Sequence, residues 1–278
     1  MSKKPLTISL VIPVYNEESY LVACLEAARG QTMPFHEIIV VDNNSTDRSC
    51  DIVAHHPEVK LVHETRQGIV HARSRGFDAA KGDIIARIDA DTTLPAGWAA
   101  HIAEFYADPQ HLGTAWTSSG LFRDVPVPRL VSGGYRLVAV HINRLLTGYP
   151  ALWGSSMALP RKAWHHVAST TCTGSGFHED LDLAHHLHHS GYRIFWDKSI
   201  RVSASLRHAW ITKRELWEYL QWWPRTLRRH GQKTWVLCWL GGSFAMFGAT
   251  LALAGWQRQR HRQLLLAKKA QVPSAFEV

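Results

Sequence analysis

The segment GDIIARIDADTTLP, residues 82–95, decides how the chain is read. Its short apolar run stops at two carboxylates, Asp89 and Asp91, separated only by Ala90, and Pro95 closes the turn that follows. An apolar run bounded by turn residues is the pattern of a buried strand. Open α/β sheets bind ligands beyond the carboxyl ends of their strands, which is where this reading puts the two acids. Residues i and i+2 of an extended backbone point the same way, so Asp89 and Asp91 can face one point. One or two carboxylates with substrate phosphates is how Mg²⁺, or the similar hard ion Mn²⁺, is held. Asp-x-Asp also occurs in solvated loops, so the surrounding sequence has to decide.

Working outward, residues 6–15 (LTISLVIPVY) read as a buried strand, and residues 17–28 show helical spacing at Leu21, Leu25 and Ala28. A second apolar run, residues 37–42 (EIIVVD), ends in Asp42-Asn43-Asn44-Ser45-Thr46-Asp47, where Ser45 or Thr46 can cap the next helix. Residues 59–63 form a third strand, a helix runs from Gly68 through Ala80, and residues 84–88 form a fourth strand. This alternation predicts an α/β fold with a mostly parallel sheet flanked by helices. Tyr15, Asp42 and Asp89 then share one sheet edge, the geometry of a nucleotide cleft. There is no Gly-x-Gly-x-x-Gly after the first strand and no Gly-Lys-Ser/Thr loop, which argues against a dinucleotide enzyme or a P-loop kinase.

Taken in order, residues 9–17 (SLVIPVYNE), 40–47 (VVDNNSTD), Gly68 with Ala72-Arg73, 76–83 (GFDAAKGD) and 88–91 (IDAD) resemble the family-two glycosyltransferases with the GT-A fold. The likeness runs from about residue 6 to about residue 210. It implies an inverting, nucleotide-sugar-dependent enzyme using Mn²⁺ or Mg²⁺. It implies further that Pro13, Tyr15 and Glu17 line the nucleoside pocket, that Asp42 reads the base and that Arg73 lies near the base or phosphates. Asp89 would touch ribose and metal, Asp91 would ligate the metal bridging the diphosphate, and His208 would complete that site. Two departures leave the base preference open: the common Asp-Asp-Gly-Ser is here Asp42-Asn43-Asn44-Ser45, and the Asn after the family arginine is Ser74.

Between residues 112 and 152, Pro126, Pro128 and Gly133-Gly134 predict a loop over the cleft, followed by a helix through Val138, His141 and Leu145. Residues 153–159 (WGSSMAL) read as a strand resembling the family segment that faces the donor sugar, with a backbone contact near Gly154. Residues 174–184 (GSGFHEDLDLA) form a glycine-rich loop that delivers acids to the start of a helix. The Glu179-Asp180 pair resembles the family's catalytic base site. Asp180 is assigned as the base, Glu179 as second candidate and Asp182 as a positioning acid. The same acids also suit a helix N-terminus. His185, His186, His188 and His189 read as a polar helix face, and a His-Glu-x-x-His protease site fails because position 182 is Asp. Residues 193–196 and 200–203 read as two further strands. Cys24, Cys50, Cys172 and Cys238 show no paired metal-type spacing and are expected as small buried hydrophobes in a reducing compartment.

The net charge of +8 is uneven: from residue 201 onward there are 13 Lys+Arg against 3 Asp+Glu, a local +10 that leaves −2 for residues 1–200. Seven of the twelve tryptophans share that basic region, which favours an anionic lipid surface over nucleic acid. The pattern predicts four parts: a catalytic domain over 1–210, a basic amphipathic interfacial helix over 211–233, a transmembrane or re-entrant segment over 234–256, and a basic tail over 257–278. The third part carries no charge in 23 residues, about 34 Å as a helix. Gln221-Trp222-Trp223-Pro224-Arg225 does not match the Gln-x-x-Arg-Trp of processive synthases, so transfer of one sugar is expected. The acceptor is expected to be lipid-linked or an envelope glycan, with the catalytic domain on the cytoplasmic side. A catalytically silent nucleotide-sugar-binding membrane scaffold and a sugar nucleotidyltransferase stay open as alternatives.

Overall fold

Seven strands, β1 (Ile8–Val14), β2 (Glu37–Asp42), β3 (Val59–His63), β4 (Ile84–Arg87), β5 (Thr114–Phe122), β6 (Met157–Pro160) and β7 (Arg193–Ala204), form one sheet in the order β3-β2-β1-β4-β6-β5-β7. The structure is a computed structural model that describes residues 6–125, 127–206 and 212–237. Helices α1 (Leu21–Arg29), α2 (Ser49–Ala54), α3 (Ile69–Ala79) and α4 (Trp98–Ala107) follow the first four strands in turn. After β5 come α5 (Pro128–Arg136), a π-helical turn (Leu137–Ile142) and α6 (Asn143–Thr147). Then α7 (Arg161–Val167) follows β6, α8 (Glu179–His189) precedes β7, and α9 (Lys213–Arg229) and α10 (Trp235–Leu237) close the described chain.

β1 is buried along its whole length, yet it still obeys the two-residue period of a strand. Ile8, Leu10, Ile12 and Val14 pack with Leu21 and Leu25 of α1 and Trp98 and Ile102 of α4 on one face. Val11 points to the other face, among Phe77 of α3, Trp164 of α7 and Leu187 of α8. Each such leucine or isoleucine contributes about 1.5–3 kcal/mol when fully buried. Helix α3 sits so close to the sheet that a methyl group at Gly76 would lie 2.3 Å from Val11 Cγ1 and 2.9 Å from Val41 Cγ2. That contact is why a glycine stands in mid-helix.

The sheet is less uniformly parallel than the sequence predicts. The β1–β2, β2–β3, β1–β4 and β5–β7 pairs are parallel, but β6 runs antiparallel to both β4 and β5. The reversal decides where the cleft is lined. Because β6 runs against its neighbours, the turn that leads into it, Trp153 to Ser156, arrives at the same edge as the carboxyl ends of β1, β2, β4, β5 and β7. Residues 193–196 and 200–203 belong to one strand, β7, whose register against β5 jumps at Ser118/Ser119.

Helix α9 corrects the expectation of an interfacial helix. Its leucine stripe, Leu216, Leu220 and Leu227, is buried against the protein, while Arg214, Arg225, Arg228 and Arg229 face outward. Thr212 starts it with a capping box that includes Glu215. No helix among the described residues is long and apolar enough to cross a membrane. Residues 238–256 of the uncharged segment, the tail over 257–278 and His208 lie outside the described residues.

Candidate active site

The loops after β1 and β2 are laced together through backbone hydrogen bonds to short polar side chains. Asn16, in the left-handed region at φ 55°, accepts from Thr46 N–H at 2.8 Å, and its own N–H donates to Ser45 Oγ at 3.1 Å. Asparagine tolerates that conformation better than most residues. Glu17 N–H donates to Ser49 Oγ at 2.8 Å and Glu18 N–H to Asp47 Oδ2 at 2.9 Å. This lacing delays α1 to Leu21, four residues later than the helical spacing alone suggests, and leaves Pro13, Tyr15 and Glu17 lining a cavity of ≈ 400 Å³.

Asp42 does not reach that cavity. Its Oδ1 accepts from Ser45 N–H at 3.1 Å and its Oδ2 lies 3.3 Å from His63 Nδ1. Burial opposes its charge, yet hydrogen bonds from Ser45, His63 and Cys50 outweigh burial and hold the carboxyl below its ordinary range. The next residue, Asn43, lines the cavity instead. Its Nδ2 donates to the carbonyls of Glu64 and Arg66, both at 2.8 Å, and its Oδ1 accepts from Gly68 N–H at 2.7 Å. The asparagine that departs from the family pattern thus ties the loop after β2 to the loop after β3.

Arg87, which the strand pattern hides inside an apolar run, is the centre of the site. It is 1% exposed and its guanidinium serves three carboxylates. Nη1 donates to Asp180 Oδ1 at 2.7 Å; Nη2 donates to Asp89 Oδ1 at 2.9 Å and to Glu179 Oε1 at 3.3 Å. Burial works against its charge, and the three acids outweigh it, so Arg87 stays protonated. Ser155 Oγ donates to Asp89 Oδ2 at 2.6 Å, and Gly154 N–H donates to Asp180 Oδ2 at 2.7 Å. Gly154, expected to make a backbone contact with the donor sugar, thus has its N–H engaged by the carboxylate. A Cβ there would stand 2.6–2.9 Å from the Arg87 guanidinium, so only glycine fits.

Arg73, expected near the base or phosphates, lies in the protein interior. It is fully buried, with Nη1 donating to the Glu179 carbonyl at 2.9 Å and its guanidinium 5.7 Å from the Trp164 ring. It positions the start of α8 and does not line the cavity. Asp182 faces away from the cavity, toward Cys172, His186 and His230.

Glu17, Asp89, Asp91, Glu179 and Asp180 all line this cavity, with Arg87 as the counter-charge, so the acids outnumber it five to one. Oxygen donors of this kind, in excess of the fixed positive charge, suit a hard divalent cation, and Asp89 and Asp91 stand at the strand end where one would meet a diphosphate. Both Asp89 oxygens are oriented by neighbours, and each keeps a second lone pair for an ion. Burial, with the neighbouring Glu179 charge second, pushes the Asp180 carboxyl up to about 6. Glu179 is drawn below its ordinary range, because Arg87 outweighs the effect of burial. Tyr135, Trp153, Tyr219 and Trp222 supply an aromatic part of the same lining.

Residues 9–140 match the family model described as Glycosyl transferase family 2. This part of the chain belongs to that family. The chain is 42% identical over 88 residues to the putative glycosyltransferase EpsH of Bacillus subtilis, covering 30% of this chain and 26% of the relative. It is 30% identical over 177 residues to the uncharacterized glycosyltransferase YibD of Escherichia coli, covering 58% of this chain and 46% of the relative. Among solved structures it is similar to the mannosyltransferase PcManGT from Pyrobaculum calidifontis in complex with GDP-Man and Mn²⁺. The TM-score is 0.63 and the identity 23%, over 96% of this chain and 80% of that one, a likeness of fold in the GT-A manner. The family 2 match contains Pro13, Tyr15, Glu17, Arg87, Asp89 and Asp91. Glu179, Asp180 and α9 lie beyond it in the chain, and the fold brings them to the same cavity as the family 2 segment.

Proposed function

We propose that the chain moves one sugar from a nucleoside diphosphate sugar to an acceptor hydroxyl in a single displacement that inverts the anomeric centre, with Asp180 as the base. One observation supports this above the rest. A single guanidinium, Arg87, holds Asp89 and Asp180 across one cavity, so a group suited to the leaving diphosphate and a group suited to the incoming hydroxyl are fixed relative to each other. The cavity volume lies within the range of small-molecule sites, roughly 300–1,000 Å³.

Mn²⁺ or Mg²⁺ at Asp89 and Asp91 supplies Lewis-acid neutralisation of the diphosphate. Without such an ion the five acids would repel a nucleoside diphosphate. Asp180 takes the proton of the acceptor hydroxyl on a lone pair that neither Arg87 nor Gly154 uses. A carboxyl raised above the ordinary range by burial and by the Glu179 charge is more basic than an exposed aspartate. Glu179 remains ionised and helps keep Arg87 in place, and Arg73 holds the Glu179 backbone. Pro13, Tyr15 and Glu17 face the nucleoside, and the wall from α5 and α9 faces the acceptor. We include in the proposal membrane attachment through residues 234–256, a lipid-linked or envelope-glycan acceptor, and a catalytic domain on the cytoplasmic side; the uncharged run and the basic tail support these parts.

The test uses the purified full chain with a panel of nucleotide sugars, Mn²⁺ and a membrane-extract acceptor, and measures nucleoside diphosphate release. Wild type is expected to turn over, EDTA to abolish turnover, and Asp180→Asn to lower kcat by about 10²–10⁴ in protein that circular dichroism shows to be folded. Equal inertness of wild type and Asp180→Asn would reduce the chain to a nucleotide-sugar-binding scaffold. Pyrophosphate release from a nucleoside triphosphate would make it a nucleotidyltransferase.

A further inference from the structure

Behind the catalytic acids, four side chains from three separate segments converge on one point. Each of Cys172, Asp182, His186 and His230 offers one ligand atom, and these atoms all lie within 4.8 Å of one another. Asp182 and His186 are four apart on α8 and so share a face. Cys172 precedes the glycine-rich loop, and His230 follows the last turn of α9. Asp182 is 1% exposed; its Oδ1 lies 2.8 Å from His230 Nε2 and 3.4 Å from His186 Nε2, and its Oδ2 accepts from Cys172 N–H at 3.0 Å. His186 Nε2 is buried and makes no hydrogen bond of acceptable geometry. The His230 ring is held by stacking on His185, with centroids 3.8 Å apart.

We infer that Cys172, Asp182, His186 and His230 form a structural zinc site. One thiolate, two imidazoles and one carboxylate is a donor set for Zn²⁺, distinct from the oxygen-only pair at Asp89 and Asp91 that suits Mn²⁺ or Mg²⁺. Zinc ligand distances of about 2.0–2.3 Å give tetrahedral edges of about 3.3–3.8 Å, so the four atoms close on an ion by shifts of about 1 Å. Four protein ligands leave no open position, which is the mark of a structural rather than a catalytic zinc. The ion would join both ends of residues 172–182, the segment that carries Glu179 and Asp180, and fasten it to α9. The spacing of the ligands hides the site from sequence, because no Cys-x-x-Cys pair is present and the His-x-x-x-His pair at His185 and His189 does not supply the ligands. The His185–His189 run, read as a polar face, contributes one ligand and one stacking ring.

The test is independent of any transfer activity. The full chain, purified without a histidine tag, is dialysed against metal-free buffer and its zinc measured by mass spectrometry. About one zinc per chain is expected, falling at least tenfold in Cys172→Ser and in His230→Ala. Replacement of zinc by Co²⁺ is expected to give the intense visible bands of tetrahedral cobalt and a near-ultraviolet thiolate-to-cobalt band, and Cys172→Ser should lose the latter. If Cys172→Ser does not fold, His186→Gln is read on the same visible bands, which must weaken or shift. Folded wild type that takes up neither zinc nor cobalt overturns the inference, as does a thiolate–cobalt band that persists in folded Cys172→Ser.

Discussion

Gly154 is where the smallest change should have the largest effect. Its N–H holds Asp180, and its missing Cβ leaves room for Arg87. Gly154→Ala must push the guanidinium or the turn aside and so misplace the base by a fraction of an ångström or more. We expect kcat to fall about 10²-fold, since misplacement of about 1 Å has that effect. Stability should drop by about 1–3 kcal/mol, the usual consequence of overpacking. Steady-state kinetics and urea melts on the same protein separate the two. At this scale the two carboxylate pairs that line the cavity are legible in the sequence, because they stand in order with the other motifs of residues 9–91 and at the start of an apolar-faced helix. Arg87 was legible in principle: it stands two residues before Asp89 and so on the same strand face, a lone charge inside a buried run, where charges survive only when paired. The exchange of Asp42 for Asn43 at the cavity wall was not legible, because it depends on how one turn after β2 is hydrogen-bonded.

The elements show the same division. β1 to β4 stand within two residues of where the sequence places them, and β1, β2 and β4, buried on both faces, read as nearly continuous apolar runs. β5, TAWTSSGLF, was missed, since serine and threonine at four of its nine positions look like loop. Gly133-Gly134, expected as loop, lies inside α5, which Pro128 starts from a position where its missing N–H does no harm. The break in β7 that splits its sequence pattern is a bulge fixed by Asp197. That carboxylate accepts from Trp116 Nε1 at 3.1 Å and from Ser199 N–H at 2.8 Å, and it lies 2.7 Å from His101 Nε2. Burial opposes its charge, but the bonds from Ser199, His101 and Trp116 outweigh burial and lower its pKa. A carboxyl lowered in the folded state adds stability that is complete above the unfolded value, near 3.9, and is lost as pH falls through the folded value. Asp197→Asn should therefore melt earlier than wild type at pH 7 by about 1–3 kcal/mol. Urea melts should show the gap closing as pH is taken below about 4.

In the whole molecule, α9 and the catalytic domain are not separate bodies. Thr226 Oγ1 accepts from His178 N–H at 2.8 Å, and Leu227 packs with Leu181 and Ala151. Through this docking α9 brings Tyr219 and Trp222 to the cavity. Amphipathic periodicity reports that a helix has an apolar side; it does not report whether lipid or protein covers it. Trp222→Ala removes aromatic area from the acceptor wall without emptying the core, so KM for the acceptor should rise about tenfold, the effect of losing about 1.4 kcal/mol of contact. The melting temperature should stay within about 2 °C of wild type, as for other partly exposed positions. An equal loss of stability and activity would assign Trp222 to packing alone.

The reversed strand β6 has a consequence for how such a chain can diversify. Since β6 meets the sheet head-on, the chain between β5 and the turn at Trp153 to Ser156 can change in length while the ladder from β3 through β4, and the bonds of that turn to Asp89 and Asp180, keep their pairing. On the proposed function, lineages can therefore re-cut the half that would face the acceptor and inherit the half that would face the nucleotide.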